Sequence, residues 1–245
     1  MKKTPFLVLF GLAAIFGQTQ TSLDSVLANY YKALGGLDKL NAVKTMRVEG
    51  KSILPKMNLG VDMILYVSKP NKFRVETVSH GMKSIKAYDG RIVWTKNGNQ
   101  DAIAYSEQIS KVMKSEMDLE GPLVNWKAKG NDLKYLGTEI VEGVAAHKIK
   151  VLEYTGREYV YYLHPETYLP LLFVMTRAED QRTPLMSTQI VEYADVKGLK
   201  FPAILKLTDK HGNLVISTLF EKYELDGPVE SQLFEFPDAK EKAFH

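Results

Sequence analysis

Short runs of apolar residues, spaced as in β-strands and separated by glycine, proline and asparagine, dominate most of the sequence. The densest series covers residues 61–94, where four runs follow one another with breaks at Pro70, Gly81 and Asp89-Gly90. An Asp-Gly pair between alternating runs favours a two-residue hairpin turn, because both central positions need a positive φ. Four consecutive strands without a helix between them predict an antiparallel meander, which must bury one face or curl on itself.

Further runs of the same kind precede and follow this meander. One covers residues 45–54, and seven more are spread over residues 133–224, separated by segments that contain Gly or Pro. Eleven or twelve strands at this spacing predict a mainly β (α+β) protein, built as a barrel or a heavily curved antiparallel sheet. No convincing repeat and no low-complexity linker divides the series, so residues 21–245 are predicted to form a single domain.

Several predicted strands are apolar on both faces. In the strand over residues 169–176, Phe173 faces one side and Leu172 the other, and in the strand before it Tyr161 opposes Tyr162. An antiparallel sheet with water on its outer face shows a cleaner alternation. The pattern therefore indicates a sheet that is covered by helices on one side and by packing, a partner or a ligand on the other. The alternative is that the tyrosines tolerate the surface and that Leu172 lies under a loop.

The first of two helical patterns begins at Thr21 or Ser22. Apolar residues follow at i, i+3, i+4 and i+7 on one face, and the pattern ends at Gly35-Gly36. We interpret it as a helix packed on the sheet, which could also plug or cover an apolar cavity.

The second helical pattern interrupts the strand series at residues 106–117 and carries Ile109, Met113 and Met117 on one face. A helix inserted between two halves of a meander must lie over one face or across the mouth of the curved sheet. Methionine adapts to irregular apolar surfaces, so this helix is a candidate lid, with residues 118–122 as its candidate hinge. The alternative is that both methionines are ordinary core residues.

The N-terminus has the composition of an export signal. Lys2 and Lys3 precede an apolar run over residues 5–16, which breaks at Gly17. The run is too short to span a bilayer, so residues 1–20 are predicted to be a cleaved signal peptide rather than an anchor helix. The sequence contains no cysteine, so neither a disulfide framework nor a lipidated cysteine is expected in the exported protein.

Candidate catalytic chemistry is sparse. The five histidines stand apart, without the spacing of metal ligands. The sequence has neither a Gly-x-Ser-x-Gly elbow nor a glycine motif for phosphate or dinucleotide binding. We therefore expect no metal, no cofactor and no enzymatic activity, with a hydrolase built from dispersed residues as an alternative. Without Lys2 and Lys3, the 32 basic residues become 30 and nearly balance the 29 acidic ones, which argues against a nucleic-acid partner.

One group of motifs carries a family resemblance. Residues 67–74 read Val-Ser-Lys-Pro-Asn-Lys-Phe-Arg, Tyr-Asp-Gly follows at 88–90 and Trp94 comes four residues later, while 234–237 read Phe-Glu-Phe-Pro. In this order and spacing, the motifs resemble those of periplasmic lipoprotein carriers of the LolA type. The resemblance implies an incomplete β-barrel with helices over its concave face, a periplasmic location and a cavity for acyl chains.

The resemblance also implies roles for two residues. Lys69 occupies the position where those carriers have an arginine that hydrogen-bonds to the lid in the closed form, and Phe73 occupies the aromatic position on the following strand. A lysine ammonium cannot make the fork of hydrogen bonds that a guanidinium makes. Closure is therefore expected to be looser or differently connected, or the cargo differs.

These features predict a soluble, monomeric periplasmic protein that sequesters acyl chains of lipoproteins or lipids and carries them towards the outer membrane. Its partners would be these lipids and a membrane-bound donor or receptor protein. The alternative is a sensor or interaction domain of the same fold that binds lipid and docks on a membrane partner. The candidate residues of the apolar cavity and its lid are Leu65, Lys69, Phe73, Trp94, Ile109, Met113, Met117, Tyr161 and Phe173.

Overall fold

The structure, a computed structural model, describes residues 21–118, 120–176 and 184–237. The predicted signal peptide, residues 1–20, lies outside the described residues. The helices are α1 (Leu23–Ala33), α2 (Leu37–Ala42) and α3 (Glu107–Glu116). The strands are β1 (Thr45–Leu54), β2 (Leu59–Ser68), β3 (Lys72–Ser79), β4 (Met82–Tyr88), β5 (Val93–Asn97), β6 (Ile103–Ala104), β7 (Asp132–Val141), β8 (Val144–Leu152), β9 (Glu158–Leu163), β10 (Pro170–Thr176), β11 (Pro184–Val196), β12 (Leu199–Asp209) and β13 (Leu214–Leu225).

The thirteen described strands form one antiparallel sheet, in the order β6-β5-β4-β3-β2-β1-β13-β12-β11-β10-β9-β8-β7. We call β1–β6 the first half and β7–β13 the second half; each is a meander, and β1 joins them by pairing with β13. β6 and β7 are open edges, so the predicted mainly β fold with an incomplete barrel is confirmed. The strands outnumber the predicted eleven or twelve because the two-residue strand β6 pairs with β5.

The predicted two-residue turn at Asp89-Gly90 is wrong. β4 and β5 pair Tyr88 with Val93, so the loop between them has four residues. The Asp89 carboxylate accepts hydrogen bonds from the backbone N–H groups of Arg91 and Ile92, at 2.7 and 2.9 Å. This contact stabilises the longer loop, which an Asp-Gly pair alone does not reveal.

α1 fills the concave face of the second half. Ser22 and Ser25 cap its N-terminus reciprocally, at the start that the sequence predicts. Val26, Leu27 and Tyr30 are buried in the main core, together with inward-facing residues of the second half. The amphipathic pattern of α1 is therefore explained by packing on the sheet.

α1 ends in close contact with the sheet. Gly35 has a φ of 101°, and a Cβ at this position would lie 2.0 Å from the Gly198 carbonyl oxygen in the β11–β12 turn. The Leu34 carbonyl oxygen accepts a hydrogen bond from the Lys200 N–H at 3.0 Å. A glycine here thus both ends the helix and permits its close approach to the sheet.

α3 lies over the concave face of the first half. The buried Ser110 hydroxyl accepts a hydrogen bond from the backbone N–H of Val93 at 2.9 Å, which ties the helix to β5. Beneath it, Phe73, Tyr88 and Val93 form a small buried cluster, with Met113 packed against it. The predicted placement of the inserted helix over one face of the sheet agrees with these contacts.

The C-terminal segment covers the convex face of the first half. The Trp94 indole N–H donates a hydrogen bond to the Phe234 carbonyl oxygen at 2.9 Å, and the Trp94 ring meets Phe236 edge-on. The Arg74 guanidinium lies over the same ring and donates to the Leu233 carbonyl oxygen at 2.7 Å. Trp94 therefore faces away from the concave side.

The strands that are apolar on both faces lie in the second half. Tyr161 and Phe173 belong to the core beneath α1, whereas Val160 and Tyr162 are buried in a separate cluster on the convex side, with Val174 packed against it. The two-sided pattern thus corresponds to two packed clusters, one on each face of the sheet.

Candidate functional site

A hollow of about 850 Å³ lies between the first half of the sheet and the segments that cover it. We call it the main hollow. It is bounded by α2, the β2–β3 turn, the end of α3 and the turns that follow α3. Its volume falls within the range of about 300–1,000 Å³ that is usual for ligand sites. Its lining includes the apolar residues Leu40, Val43, Met46, Val67, Phe73, Met117 and Phe201 and the charged residues Lys69, Asp118, Glu120, Lys129 and Glu153.

The floor of the main hollow comes from inward-facing residues of three neighbouring strands. Met46 in β1 lies opposite Val67 in β2, and Val67 lies opposite Phe73 in β3. Successive residues of a strand point to opposite faces, so these opposed residues share the concave face. Phe73 also stacks on Tyr88, with ring centroids 5.8 Å apart. The result is a continuous apolar surface.

Lys69 connects two of the covering segments. Its Nζ donates a hydrogen bond to the Leu40 carbonyl oxygen in α2 at 2.8 Å and forms an ion pair with Glu120 Oε1 at 2.5 Å. An ammonium has three donors that can reach separate partners, so lysine can bridge two segments without the planar fork of an arginine. The sequence-based expectation that closure is looser or differently connected, or that the cargo differs, stays a prediction.

Lys129 extends the same network. Its Nζ contacts Asp118 Oδ2 at 2.5 Å and Glu120 Oε2 at 3.5 Å, and donates to the Gly121 carbonyl oxygen at 3.0 Å. Glu120 therefore pairs with both lysines. We call Lys69, Asp118, Glu120 and Lys129 the latch, because together they fasten the segment after α3 to α2 and the β2–β3 turn.

Two carboxyl groups at this site titrate abnormally. Burial raises the pKa of Asp118, although the nearby Lys129 ammonium acts in the opposite direction. Burial also raises the pKa of Glu153, against a hydrogen bond from Thr155 that lowers it. Both side chains therefore bind a proton more readily than exposed carboxylates do, which makes the charge of the latch sensitive to acidic pH.

A second, smaller hollow of about 280 Å³ lies further along the concave face of the first half. Its lining consists of Val75, Thr77, Ser84, Ile85, Lys86, Thr95, Asn97 and Met117. Met117 lines both hollows and thus stands between them. A ligand longer than the main hollow would have to pass this flexible side chain.

Four of the nine predicted site residues lie in the region of the hollows, and a fifth, Ile109, lies outside it. Lys69, Phe73 and Met117 line the main hollow, and Met113 packs against the cluster that contains Phe73. Ile109 is 48% exposed and lines neither hollow. Of the three positions that the helix spacing placed on one face, Met117 at the helix end lines both hollows and Met113 packs beside it, whereas Ile109 does neither.

The other four predicted site residues are not brought to the hollows. Leu65 lies in the main core, and Tyr161 and Phe173 stack on each other there, with ring centroids 5.1 Å apart. Trp94 lies on the convex side, beneath the C-terminal segment. Strand alternation alone could not separate these positions, because both faces of the sheet carry buried apolar residues.

Sequence reasoning missed the acidic part of the latch and Phe201. Asp118 and Glu120 fall in the stretch predicted as a hinge, where a carboxylate is normally expected to be exposed to solvent. Lys129 lies in a turn without any distinguishing pattern. Phe201 lies in β12, and only the pairing of β1 with β13 brings this strand of the second half near the main hollow.

Comparison with solved structures places this architecture among known folds. A DUF1329 family protein from Desulfovibrio piger superposes with a TM-score of 0.62 and 12% identity, over 88% of this chain and 98% of that chain. An outer membrane lipoprotein-sorting protein domain from Vibrio parahaemolyticus gives 0.60 and 12%, over 85% and 94%. A LolA superfamily protein from Nitrosomonas europaea gives 0.60 and 11%, over 88% and 98%. This chain has a LolA-like fold.

The likeness to these solved structures is a likeness of fold. No protein-family model matches the sequence, and no curated protein matches it either. At 11–12% identity the shared feature of the LolA-like chains is the arrangement of strands and helices, which agrees with the resemblance seen in the motifs. In residues 21–118, 120–176 and 184–237, no helix has the length and apolar character needed to cross a membrane.

Proposed function

We propose that the protein is a periplasmic binding protein that holds the acyl chain of a lipid or lipoprotein in the main hollow and carries it towards the outer membrane. The observation that supports this most strongly is the main hollow itself: about 850 Å³, with an apolar floor and a polar latch across its cover. An apolar site of this kind matches an acyl chain better than it matches a polar metabolite.

The energy available from such a site is sufficient for carriage. Burial of one methylene contributes about 0.8 kcal/mol, so a chain of twelve carbons gains roughly 10 kcal/mol. Loss of translational and rotational freedom on association opposes this by about 4–15 kcal/mol. The net affinity is therefore moderate, as a protein that must also release its ligand requires.

The latch provides a route for loading and release. Lys69 and Lys129 hold the segment after α3 through hydrogen bonds and ion pairs, which can open without disturbing the core beneath α1. A ligand shifts the balance between open and closed forms only by its differential affinity for the two. A membrane-bound donor or receptor would act by binding the open form.

Native mass spectrometry of the exported protein, purified from the periplasm without detergent, tests this function. We expect a bound mass that is released as acyl lipid or acylated peptide on extraction. A ligand-free mass that persists after incubation with vesicles of phosphatidylethanolamine and phosphatidylglycerol would contradict the proposal.

A matched pair of variants assigns that binding to the main hollow. Met117→Glu places a charge between the two hollows and is expected to abolish lipid binding. Met57→Glu introduces the same charge at a methionine that is 68% exposed, outside both hollows, and should bind lipid like the unchanged protein. Equal binding by both variants would show that lipid is held elsewhere.

A further inference from the structure

The concave face of the first half changes from apolar to polar along its strands. The row beneath α3 consists of Phe73, Tyr88 and Val93, which lie opposite one another in β3, β4 and β5. Four residues further along the same strands, the corresponding row consists of Thr77, Ser84 and Asn97. Residues two or four apart in a strand share a face, so both rows lie on the concave side.

The polar row lines the smaller hollow and has unused hydrogen-bonding capacity. No described residue forms a hydrogen bond with the side chains of Thr77, Ser84 or Asn97, whereas Thr95 in the same lining bonds to Tyr105. Hydroxyl groups and a carboxamide can all donate hydrogen bonds. These three side chains therefore offer a set of donors towards the same space.

The two hollows differ in their acidic groups. None of the described lining residues of the smaller hollow is a carboxylate. In the main hollow, Asp118, Glu120 and Glu153 lie among the lining residues, beside five lysines. Hydrogen bonds from neutral donors to an anion are stronger than those between neutral groups, so a donor-rich site of this kind favours an anionic acceptor.

The two hollows meet at Met117, which gives a ligand two chemically different ends. We propose that the smaller hollow binds the anionic head of an amphiphile, a phosphate or carboxylate, while its acyl chain lies in the main hollow. This rests on the proposed function for the chain and adds the class of ligand head. The head approaches Thr77 and Ser84, and Met117 moves aside to let the chain pass.

The test compares two amphiphiles that differ in the head alone, dodecyl phosphate and dodecanol, by native mass spectrometry titration of the exported protein. We expect dodecyl phosphate to bind at least tenfold more tightly. In the double variant Thr77→Val/Ser84→Ala, which keeps side-chain volume nearly constant, the ratio should fall below threefold with dodecanol binding unchanged. Ser217→Ala removes a hydroxyl from the convex side and should leave the ratio as it is.

The other possible outcomes distinguish failure of the head site from failure of the carrier function. Equal affinity for both amphiphiles overturns the head site but leaves the carrier function standing, whereas failure of both to bind contradicts the carrier function as well. A tenfold ratio that persists in the double variant overturns the assignment to the smaller hollow. Micromolar binding of inorganic phosphate alone, lost in the double variant, would mean that the site serves free phosphate, which overturns the lipid-head assignment.

Discussion

The concave faces of the two halves of the sheet are covered in different ways. In the second half, α1 inserts Val26, Leu27 and Tyr30 into the concave face, and the space is filled. In the first half, α3 covers a smaller buried cluster, and two hollows remain beside it. The second half therefore supplies most of the strand residues in the core beneath α1, and the first half leaves the space that the proposed ligand would occupy.

The side chains on the concave face explain this difference. Tyr161 and Phe173 stack with ring centroids 5.1 Å apart in the second half, so large rings occupy the volume beneath α1. At the smaller hollow, the corresponding face of the first half carries Thr77 and Ser84, which are too small and too polar to fill such a volume. A curved sheet leaves space wherever its inward-facing residues are small, unless a helix supplies the missing bulk.

The largest expected contrast between the halves is in stability. Leu27→Ala leaves a cavity in the filled core and should lower the free energy of unfolding by about 2–5 kcal/mol. Met113→Ala, at a half-buried position beside the hollow, should cost about 1 kcal/mol. Urea unfolding of both variants followed by circular dichroism measures this, and equal losses would show that the halves are packed alike.

The next contrast is in ligand binding. Met117→Trp adds bulk at the junction of the two hollows and should weaken acyl-chain binding about tenfold, because less apolar area of the chain can be buried. Unfolding free energy should change little, since Met117 is not part of the core beneath α1. Titration with a fluorescent fatty acid gives the affinity, and tighter binding by this variant would contradict the placement of the chain.

A smaller effect is expected from the latch. Lys69→Met keeps the length of the side chain but removes the hydrogen bond to Leu40 and the ion pair with Glu120, so bound lipid should exchange several-fold faster. Lys51→Met breaks an exposed ion pair with Glu221 far from the hollows and serves as the control. Stopped-flow displacement of a fluorescent lipid measures the rate, and unchanged exchange in Lys69→Met would show that the latch does not limit release.

The smallest expected effect is a change in how the unfolding free energy depends on pH. Since the pKa of Asp118 is raised in the folded protein, this group favours folding below its unfolded pKa, and that contribution is lost as pH rises through the folded pKa. Asp118→Asn stays neutral, so its unfolding free energy should increase relative to that of the unchanged protein as pH rises from the unfolded pKa of about 4 through the folded pKa. Glu120, Glu153 and Lys129 lie close to this carboxyl and influence the size of the gain.

Asp209 provides a control of opposite sign. Hydrogen bonds from Asn213 lower the pKa of its carboxyl, so its contribution to stability is present above the unfolded pKa and is lost as pH falls. Asp209→Asn should therefore lose stability relative to the unchanged protein as pH rises towards the unfolded pKa of about 4, and the difference should stay constant at higher pH. Urea unfolding at several pH values separates the two variants, and parallel curves would contradict the assignment of Asp118.

Sequence reasoning recovered the fold more fully than the site. Strand alternation, turn residues and the glycine pair at Gly35-Gly36 are local signals, and they predicted the meander, both main helices and the curved sheet. The motif around Lys69 and Phe73 also pointed to two residues of the main hollow. Local signals suffice where neighbouring residues determine the structure.

The remaining site residues depend on contacts between distant parts of the chain. Whether Trp94 or Phe73 faces the hollow depends on which side of the sheet the C-terminal segment covers, and strand spacing does not determine this. Glu120 becomes a latch residue only because the turn after α3 folds back towards Lys69. Such pairings follow from the tertiary arrangement rather than from any pattern in the sequence.

Photo-crosslinking with a fatty acid that carries a diazirine in its acyl chain tests most directly whether the first half of the sheet, with its two hollows, receives the ligand. We expect peptide mass spectrometry to find adducts on residues of the main hollow, above all Val67, Phe73 and Met117. Adducts concentrated on α1 or on Tyr161 and Phe173 would place the ligand in the second half and contradict the division between a filled core and a binding surface.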